Sequence, residues 1–286
     1  MIKIYGIVVL YNPTESVIFN IKSYVHHIET LYVIDNSETI NPSIESDLRQ
    51  FQNLIYINNN GNQGIAHALN VGAKLAIKDG ASWLLTMDQD SRFEDNNLEN
   101  LIQCTLHCDI TSIGIVSPVH VLEHSINKPV QIQKVSETLD VMTSGNLLNL
   151  HIYQKIGEFI NELFIDAVDQ EYCLRLRHNR YKILLCEFAL LEHCLGDLRE
   201  FKLGFKSIRY SNHSPIRRYY ITRNRLYLLQ KYFWEFPLFG FKIIKWIIFE
   251  WIKIIVLEKD KIAKNKATLE GIRDFFRGKY GKYCSK

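Results

Sequence analysis

Residues 83–90, Trp-Leu-Leu-Thr-Met-Asp-Gln-Asp, join an apolar run to two carboxylates, and this stretch decides the fold. The run is short, follows Gly80 and leads into a polar loop, which is typical of a buried strand. In an open α/β sheet, side chains at the carboxyl ends of strands face the crevice where ligands bind. Asp88 and Asp90 supply hard oxygen atoms one residue apart, a pattern that can hold Mg²⁺ or Mn²⁺ beside substrate phosphates.

Three earlier apolar runs have the same form, because each ends in polar residues. Residues 4–10 end at Tyr11-Asn12-Pro13, residues 31–34 at Asp35-Asn36-Ser37, and residues 54–57 at Asn58-Asn59-Asn60-Gly61. Segments 14–28 and 64–78 between the runs have helical spacing. The order β-α-β-(α)-β-α-β predicts parallel strands joined by right-handed crossovers. We therefore expect an α/β fold with a Rossmann-like, mostly parallel sheet flanked by helices.

The composition is that of a folded globular protein. With 286 residues, 47% hydrophobic and 23% charged, the chain is long enough for one large domain or a domain with an appendage. A net charge of +3 does not indicate a nucleic-acid partner. The charge is uneven, however, because residues 241–286 carry 12 Lys or Arg against 5 Asp or Glu. A basic tail on a mildly acidic body favours an anionic surface as partner.

Residues 232–257 are strongly apolar and rich in Trp and Phe. Lys242, Lys245, Glu250 and Lys253 interrupt the run, so it does not predict a transmembrane helix. On a helix these four residues share one face, which is the pattern of a helix lying in a membrane interface. The alternative is a helix packed on the enzyme core. We interpret 229–286 as a basic, amphipathic helical tail that contacts a membrane surface.

The cysteines and the N-terminus favour a cytoplasmic location. None of the six cysteines forms a Cys-x-x-Cys pair, so we expect reduced thiols. The first residues lead straight into a strand, without the charged and apolar regions of a signal peptide. A basic apolar tail on such a protein predicts peripheral attachment to the inner face of the plasma membrane.

Several further groups can carry chemistry, and each has a plainer interpretation. Asp35 can accept hydrogen bonds from a nucleobase or ribose, or can simply cap a turn. The turn from Asn60 to Gly64 opens a helix, and its N–H groups can meet a diphosphate or ribose. Asp166 and Asp169 at a helix start can favour the helix dipole or can supply a general base.

Two more features lie downstream. His193 follows an apolar run, and a lone histidine is usually not a ligand. Residues 217–225 place four arginines on one predicted helix, and arginine is well suited to phosphate, although a solvated basic face has the same pattern.

Taken in order, these segments resemble glycosyltransferase family 2, which has a GT-A fold. The resemblance covers nearly the whole chain and is strongest to bacterial rhamnosyltransferases of polysaccharide synthesis. The segments that carry it are Val8-Val9-Leu10-Tyr11-Asn12, Val33-Ile34-Asp35-Asn36-Ser37, Asn60-Gly61-Asn62-Gln63-Gly64, Leu84 to Ser91, Glu162 to Asp166 with the acids to 171, and His213 to Tyr220.

The resemblance implies a role for each matching residue. The residues implied in binding the nucleotide sugar are Tyr11, Asn12, Asp35, Asn60, Gly64 and Asp88. Asp90 would ligate the divalent metal, with His193 as a further metal or diphosphate contact. Asp169 matches the general base, with Asp166 as the alternative because Val168 stands where the family has Glu. Phosphate or acceptor contacts fall to Arg217, Arg218 and Arg223.

The implied activity is an inverting, metal-dependent transfer of L-rhamnose from dTDP-L-rhamnose to a lipid-linked oligosaccharide. We expect a catalytic domain over 1–228, with a nucleotide-binding half at 1–112 and an acceptor half at 113–228. Another donor such as a UDP-hexose is the main alternative. A nucleotidyltransferase usually needs a Gly-Lys or Gly-Arg loop near its start, and Tyr11-Asn12-Pro13 is not one. A non-catalytic carbohydrate-binding protein would have lost its acids, and they are present.

Overall fold

A computed structural model describes residues 3–106, 109–122, 134–193, 198–203 and 206–284. Cys108 and Cys194 lie outside these ranges. The chain forms two compact units. The first unit comprises Met1–Ile160 and Tyr172–Cys194, and the second comprises Asn161–Glu171 and Leu195–Lys286.

Eleven strands lie within the described residues. They are β1 (Ile4–Leu10), β2 (Leu31–Asp35), β3 (Leu54–Asn58), β4 (Trp83–Asp88), β5 (Ser91–Phe93), β6 (Ile113–Leu122), β7 (Val135–Glu137), β8 (Asn146–Asn149), β9 (Lys182–His193), β10 (Leu198–Leu203) and β11 (Lys206–Ser211). β10 and β11 form an antiparallel pair in the second unit.

The helices alternate with the early strands and dominate the end of the chain. They are α1 (Ser16–Lys22), α2 (Pro42–Leu48), α3 (Ile65–Lys78), α4 (Asn97–Leu106), α5 (Leu150–Ile156), α6 (Val168–His178), α7 (Pro215–Tyr232), α8 (Pro237–Val256) and α9 (Lys261–Phe276). The helix predicted at 14–28 is reduced to α1 and a 3₁₀ turn at Val25–His27. Among the described residues, no helix has both the length and the apolar character needed to cross a membrane.

The described strands of the first unit form a nine-stranded sheet. Its order is β3-β2-β1-β4-β8-β6-β9-β5, with β7 paired to β9. β3, β2, β1 and β4 are parallel neighbours, as predicted, whereas β8 runs antiparallel to β4 and β6. The chain steps outward from β1 to β3 and then returns to the other side of β1. The carboxyl ends of β1 and β4 therefore flank a switch point, where α/β sheets bind ligands.

The early strands are apolar throughout because helices cover both faces of a parallel sheet. β2 is buried at every position, and β4 is buried up to Met87. α3 packs closely on β1 because Gly72 carries no side chain. A Cβ atom at Gly72 would lie 2.2 Å from Cδ1 of Ile7. This packing places the turn before α3 at the same edge of the sheet as the end of β1.

The second unit is held by buried ion pairs as well as by apolar contacts. Arg218 on α7 pairs with Glu250 of α8 and with Glu258, and Lys264 of α9 also contacts Glu258, at 2.7 Å. The predicted domain boundary at residue 228 falls inside α7. These ion pairs connect α7 to α8 and α9 within the second unit.

Candidate active site

Gln89 joins the ends of β1 and β4 at the switch point. Its side-chain oxygen accepts a hydrogen bond from the backbone N–H of Tyr11 at 2.8 Å, and its amide nitrogen donates to the Tyr11 carbonyl at 3.3 Å. The amide of Asn20 donates to the Gln89 carbonyl at 2.8 Å. The Gln89 side chain thus makes the pair of hydrogen bonds to Tyr11 that a neighbouring strand's backbone would make. These bonds fix the position of Gln89 between the two carboxylates. The sequence interpretation assigned it no role.

Tyr11 and Asn12 follow β1 and lie beside the end of β2. Asn12 has a left-handed backbone with φ of 47°, and its N–H donates to the Ser37 hydroxyl at 2.8 Å. Tyr11 is 46% exposed. An exposed aromatic ring at this edge is suited to stacking against a nucleobase, and the role of Tyr11 in binding the nucleotide stays a prediction.

Asp35 is buried at the end of β2 and is held by the protein. One oxygen accepts from the backbone N–H of Ser37 at 2.8 Å, and the other accepts from the Tyr56 hydroxyl at 2.6 Å. Burial, and then the hydrogen bond to Asp35, raise the pKa of Tyr56 above its ordinary range. Tyr56 therefore stays a donor, and it orients the carboxylate. A carboxylate oxygen has two acceptor sites, so Asp35 can still accept a ligand N–H or O–H.

The turn from Asn60 to Gly64 is tied to the end of β2. Asn36 donates to the Gly64 carbonyl at 3.1 Å and accepts from Asn59 at 2.7 Å. Gly61 has φ of 97°, and a Cβ there would lie 2.6 Å from a Glu38 carboxylate oxygen, so this position needs glycine. Gly64 opens α3. Backbone N–H groups at a helix N-terminus can meet a phosphate or ribose, and the predicted contact of Gly64 with a nucleoside stays a prediction.

Asp88, Asp90 and His193 form a cluster of possible metal ligands. One ligand atom from each lies within 4.8 Å of the others, and all three side chains are partly buried. His193 Nδ1 lies 3.4 Å from Asp90 Oδ1 and 2.7 Å from the Ser91 hydroxyl. Two carboxylates and an imidazole suit Mg²⁺ or Mn²⁺ with remaining positions for phosphate oxygens. The residues present therefore fit a divalent cation.

An irregularity in β9 brings His193 to this cluster. The register of β6 against β9 shifts between Pro118 opposite Cys186 and Val119 opposite Leu190. The extra residues are covered by α4, where Asn97 accepts from the Leu190 N–H at 2.9 Å. Beyond the shift, His193 pairs with Ser91 of β5. A β-bulge of this kind re-aims side chains beside an active site.

His120 is a neighbour that the sequence interpretation missed. Its ring lies edge-on to that of His193, with 6.4 Å between centroids, and its Nε2 is 2.8 Å from the Ser144 carbonyl. Burial lowers the pKa of His120 to about 4 against the opposing effect of the Ser144 hydrogen bond, and His193 lowers it further. His120 is therefore neutral at pH 7. The Ser144 hydroxyl also accepts from the Asp88 N–H at 3.1 Å.

Asp166 and Asp169 lie in the second unit, around the start of α6. Asp169 is in the first turn, and its carboxylate accepts from the Gln170 N–H at 2.8 Å. Asp166 precedes the helix and pairs with Arg217 at 3.3 Å. Burial raises the pKa of Asp166, although Arg217 opposes the shift.

The three arginines predicted to contact phosphate have different surroundings. Arg217 is about half exposed beside Asp166. Arg218 is buried between Glu250 and Glu258. Arg223 is fully buried, and its guanidinium donates to the carbonyls of Glu162, Leu163 and Gly281. Arg218 and Arg223 are therefore buried against partners within the protein. Of the three side chains, only that of Arg217 is exposed at the surface, where a ligand could reach it.

Comparison with known proteins agrees with this geometry. Residues 7–107, which include β1 to β4 and Asp90, match the model of Glycosyl transferase family 2. The chain is 27% identical to the dTDP-rhamnosyl transferase RfbF of Shigella flexneri, over 98% of each chain. Among solved structures, S. aureus TarS 1–349 aligns with 96% of this chain and 72% of its own, with a TM-score of 0.50 and 17% identity.

A second structural relative is GalNAc-T7 with UDP, GalNAc and Mn²⁺, at a TM-score of 0.59 and 11% identity. The alignment covers 78% of this chain and 47% of the GalNAc-T7 chain. The family match and the similarity to a rhamnosyl transferase along both chains make the protein a glycosyltransferase, and its fold is the GT-A fold of its structural neighbours. Residues 7–107 are the part of the chain that is similar to glycosyl transferase family 2.

Proposed function

We propose that the protein transfers L-rhamnose from dTDP-L-rhamnose to a hydroxyl of a lipid-linked oligosaccharide in bacterial surface polysaccharide synthesis. The observation that carries the chemistry is the cluster of Asp88, Asp90 and His193 at the switch point of the sheet. The choice of donor is supported by the similarity to a dTDP-rhamnosyl transferase along both full chains.

The nucleotide half of the donor would bind at the ends of β1, β2 and β3. Tyr11 would stack on the base, and Asp35, oriented by Tyr56, would accept from the base or the ribose. Asp88 would contact the ribose or diphosphate, and the N–H groups near Gly64 would support the nucleoside. A divalent cation held by Asp90 and His193 would stabilise negative charge on the departing nucleoside diphosphate.

Asp169 would take the proton from the acceptor hydroxyl as that oxygen attacks the anomeric carbon. A single displacement of this kind inverts the configuration, and no covalent nucleophile is needed. Asp169 is favoured over Asp166 because Asp169 matches the second acid of the family's Glu-Asp pair, whereas Asp166 lies three residues upstream of it. Arg217 would then be the arginine that contacts phosphate or acceptor.

A lipid-linked acceptor requires the enzyme at a membrane, and α8 supports this location. The charged residues Glu250 and Lys253 of α8 face into the second unit and are buried with Arg218. The sequence pattern grouped these two residues with Lys242 and Lys245 on one polar face, and the structure buries only Glu250 and Lys253 of the four. Its exposed face carries the apolar residues Leu238, Phe241, Ile248, Phe249, Trp251, Ile252, Ile255 and Val256.

Lys242 and Lys245 are exposed on the same helix. An apolar face bordered by lysines is suited to the interface of a bilayer that contains anionic lipids. We propose that this face attaches the enzyme to the inner surface of the plasma membrane, as a peripheral protein in the cytoplasm.

A donor screen tests the proposal. The purified protein is incubated with dTDP-L-rhamnose, UDP-glucose or UDP-galactose, with Mn²⁺, Mg²⁺ or EDTA, and release of the nucleoside diphosphate is measured. We expect metal-dependent turnover of dTDP-L-rhamnose above both UDP-sugars. A preference for a UDP-sugar would remove the rhamnosyl assignment, and equal turnover in EDTA would remove the metal.

A further inference from the structure

The segment before α6 has an unusual backbone for residues that carry side chains. Phe164, Asp166 and Ala167 have φ values of 66°, 62° and 63°, in the left-handed region that glycine favours. Such geometry persists only where the surrounding structure enforces it, and it concentrates at functional sites. The Ala167 carbonyl accepts from the Glu171 N–H at 2.9 Å, so this left-handed residue begins the helical turn that carries Asp169.

One amide on α7 lies within hydrogen-bond distance of three carbonyl groups in and just before this segment, and the Leu163 carbonyl also accepts from Arg223. The amide nitrogen of Asn224 on α7 lies 2.8 Å from the Leu163 carbonyl oxygen, 2.8 Å from that of Ile165 and 2.9 Å from that of Asp166. Asn224 is fully buried. Its own oxygen accepts from Nε of Arg223 at 3.0 Å, which orients the amide nitrogen towards the segment.

The same helix holds the other side of the turn. Glu171 is fully buried, and one of its oxygens accepts from Lys231 Nζ at 2.9 Å and from the Tyr232 hydroxyl at 2.8 Å. The backbone before Asp169 and the side chain two residues after it are therefore both fixed by α7. Asn224 differs from these partners because it acts on the segment with left-handed geometry.

We propose that Asn224 is a positioning residue for Asp169: its amide holds the left-handed segment 164–167 and thereby sets where the proton-accepting carboxylate lies. This inference rests on the proposed function, because that function makes Asp169 the base. Without the amide donor, three carbonyls lose a partner and the segment relaxes towards ordinary backbone geometry. The nucleotide-binding residues belong to the first unit and keep their own hydrogen bonds.

The test uses Asn224→Asp, which keeps an oxygen for Arg223 and removes the amide donor, and Asn224→Ser as a milder variant. Transfer of label from radiolabelled dTDP-L-rhamnose to the lipid-linked saccharides of host membranes gives kcat and the donor KM. Calorimetry gives the affinity for dTDP with Mn²⁺. We expect kcat to fall about 10-fold or more, since a small displacement of a reacting group is costly, while donor KM and dTDP affinity change less than about twofold.

A second substitution tests whether the fall in kcat comes from loss of the left-handed backbone geometry. Glycine adopts left-handed geometry without strain, so Ala167→Gly added to Asn224→Ser should restore part of kcat. Asn70→Asp is the matched structural control, because Asn70 is also buried and bonds both backbone groups of Phe159 in the first unit. We expect it to lower the melting temperature without a selective loss of kcat.

Three outcomes would overturn the inference: an unchanged kcat in Asn224→Ser, a loss no greater than that of Asn70→Asp at an equal fall in melting temperature, or no recovery on adding Ala167→Gly. If Asn224→Asp does not fold, the serine variant decides. Asp169→Asn is assayed in parallel. Retained transfer in Asp169→Asn means that the proposed base is wrong, whereas its loss together with full activity of both Asn224 variants refutes the positioning role alone.

Discussion

His193 Nδ1 lies 3.4 Å from Asp90 Oδ1, although the two residues are far apart in the chain and belong to different strand ends. β5 and β9 bring them together, because Ser91 pairs directly with His193. The local motif supplies Asp88 and Asp90, and sheet pairing adds His193 to complete the candidate donor set for a divalent cation.

Removal of the Asp90 carboxylate should abolish metal-dependent donor turnover. We expect Asp90→Asn to lower kcat/KM by about 100-fold or more, which corresponds to ~2.7 kcal/mol at the transition state. Donor turnover against Mn²⁺ concentration measures the effect. Asp47→Asn, on the exposed face of α2, is the control. Full activity of Asp90→Asn would show that the site is placed wrongly.

Gln89 should matter for nucleotide binding even though it is neither acid nor ligand. In Gln89→Leu the Tyr11 backbone loses both hydrogen bonds, so we expect dTDP affinity to fall by roughly 10-fold and stability by only about 1 kcal/mol. Gln89→Glu keeps the acceptor and should give an intermediate result. Calorimetric titration with dTDP measures the affinity. Wild-type affinity in both variants would show that Gln89 has no such role.

Arg217 and Arg218 are adjacent in sequence, but substitution by Met should lower mainly transfer activity at Arg217 and mainly stability at Arg218. Arg218→Met removes the buried cation that Glu250 and Glu258 share, leaves each carboxylate with a single lysine, and should cost about 3–5 kcal/mol of unfolding free energy. Arg217→Met removes a half-exposed pair and should cost less than about 1 kcal/mol while lowering transfer activity. Urea unfolding and the transfer assay separate the two effects. Equal losses of stability would contradict the assignment.

His213 should make the second unit sensitive to acid. Burial, with the charges of Arg217, Arg218 and Lys253, lowers its pKa to about 4 against the pull of Glu250. The unfolded chain therefore binds more protons between pH 6.5 and 4, so stability is present above pH 6.5 and falls as the pH drops through this window. Allowing for solvent access, we expect a loss of roughly 1–2 kcal/mol by pH 4.

Substitution of His213 by Gln should flatten this acid-dependent loss. Urea unfolding at pH 7 and pH 4.5 gives the difference for each protein. The same pH dependence in His213→Gln and in the wild type would show that other groups cause it.

The outward apolar face of α8 should bind vesicles that contain anionic phospholipid. Phe241 and Ile248 are 60% and 53% exposed. Insertion of each side chain contributes about 1.5–3 kcal/mol, so Phe241→Ser with Ile248→Ser should lower the partition coefficient at least about 100-fold without lowering the melting temperature. Phe19→Ser, at an exposed aromatic residue of α1, is the control. Unchanged co-sedimentation would remove this face from membrane attachment.

Much of the fold could be predicted because its signals are local. The four apolar runs, the polar residues after each and the helical spacing between them specify β1 to β4 and their parallel order. Asp35, Asp88 and the turn before α3 were found for the same reason, since each follows directly from a strand end. These features depend on residues that are neighbours in the chain.

The tertiary structure decided what depends on contacts between distant segments. The register shift in β9 aims His193 at Asp90, and the fit of the Gln89 amide to the Tyr11 backbone exists only once β1 and β4 pair. α8 shows the reason most clearly. Its periodicity separates an apolar face from a charged one, but only the buried Arg218 determines that Glu250 and Lys253 turn inward, because a buried cation needs carboxylate partners.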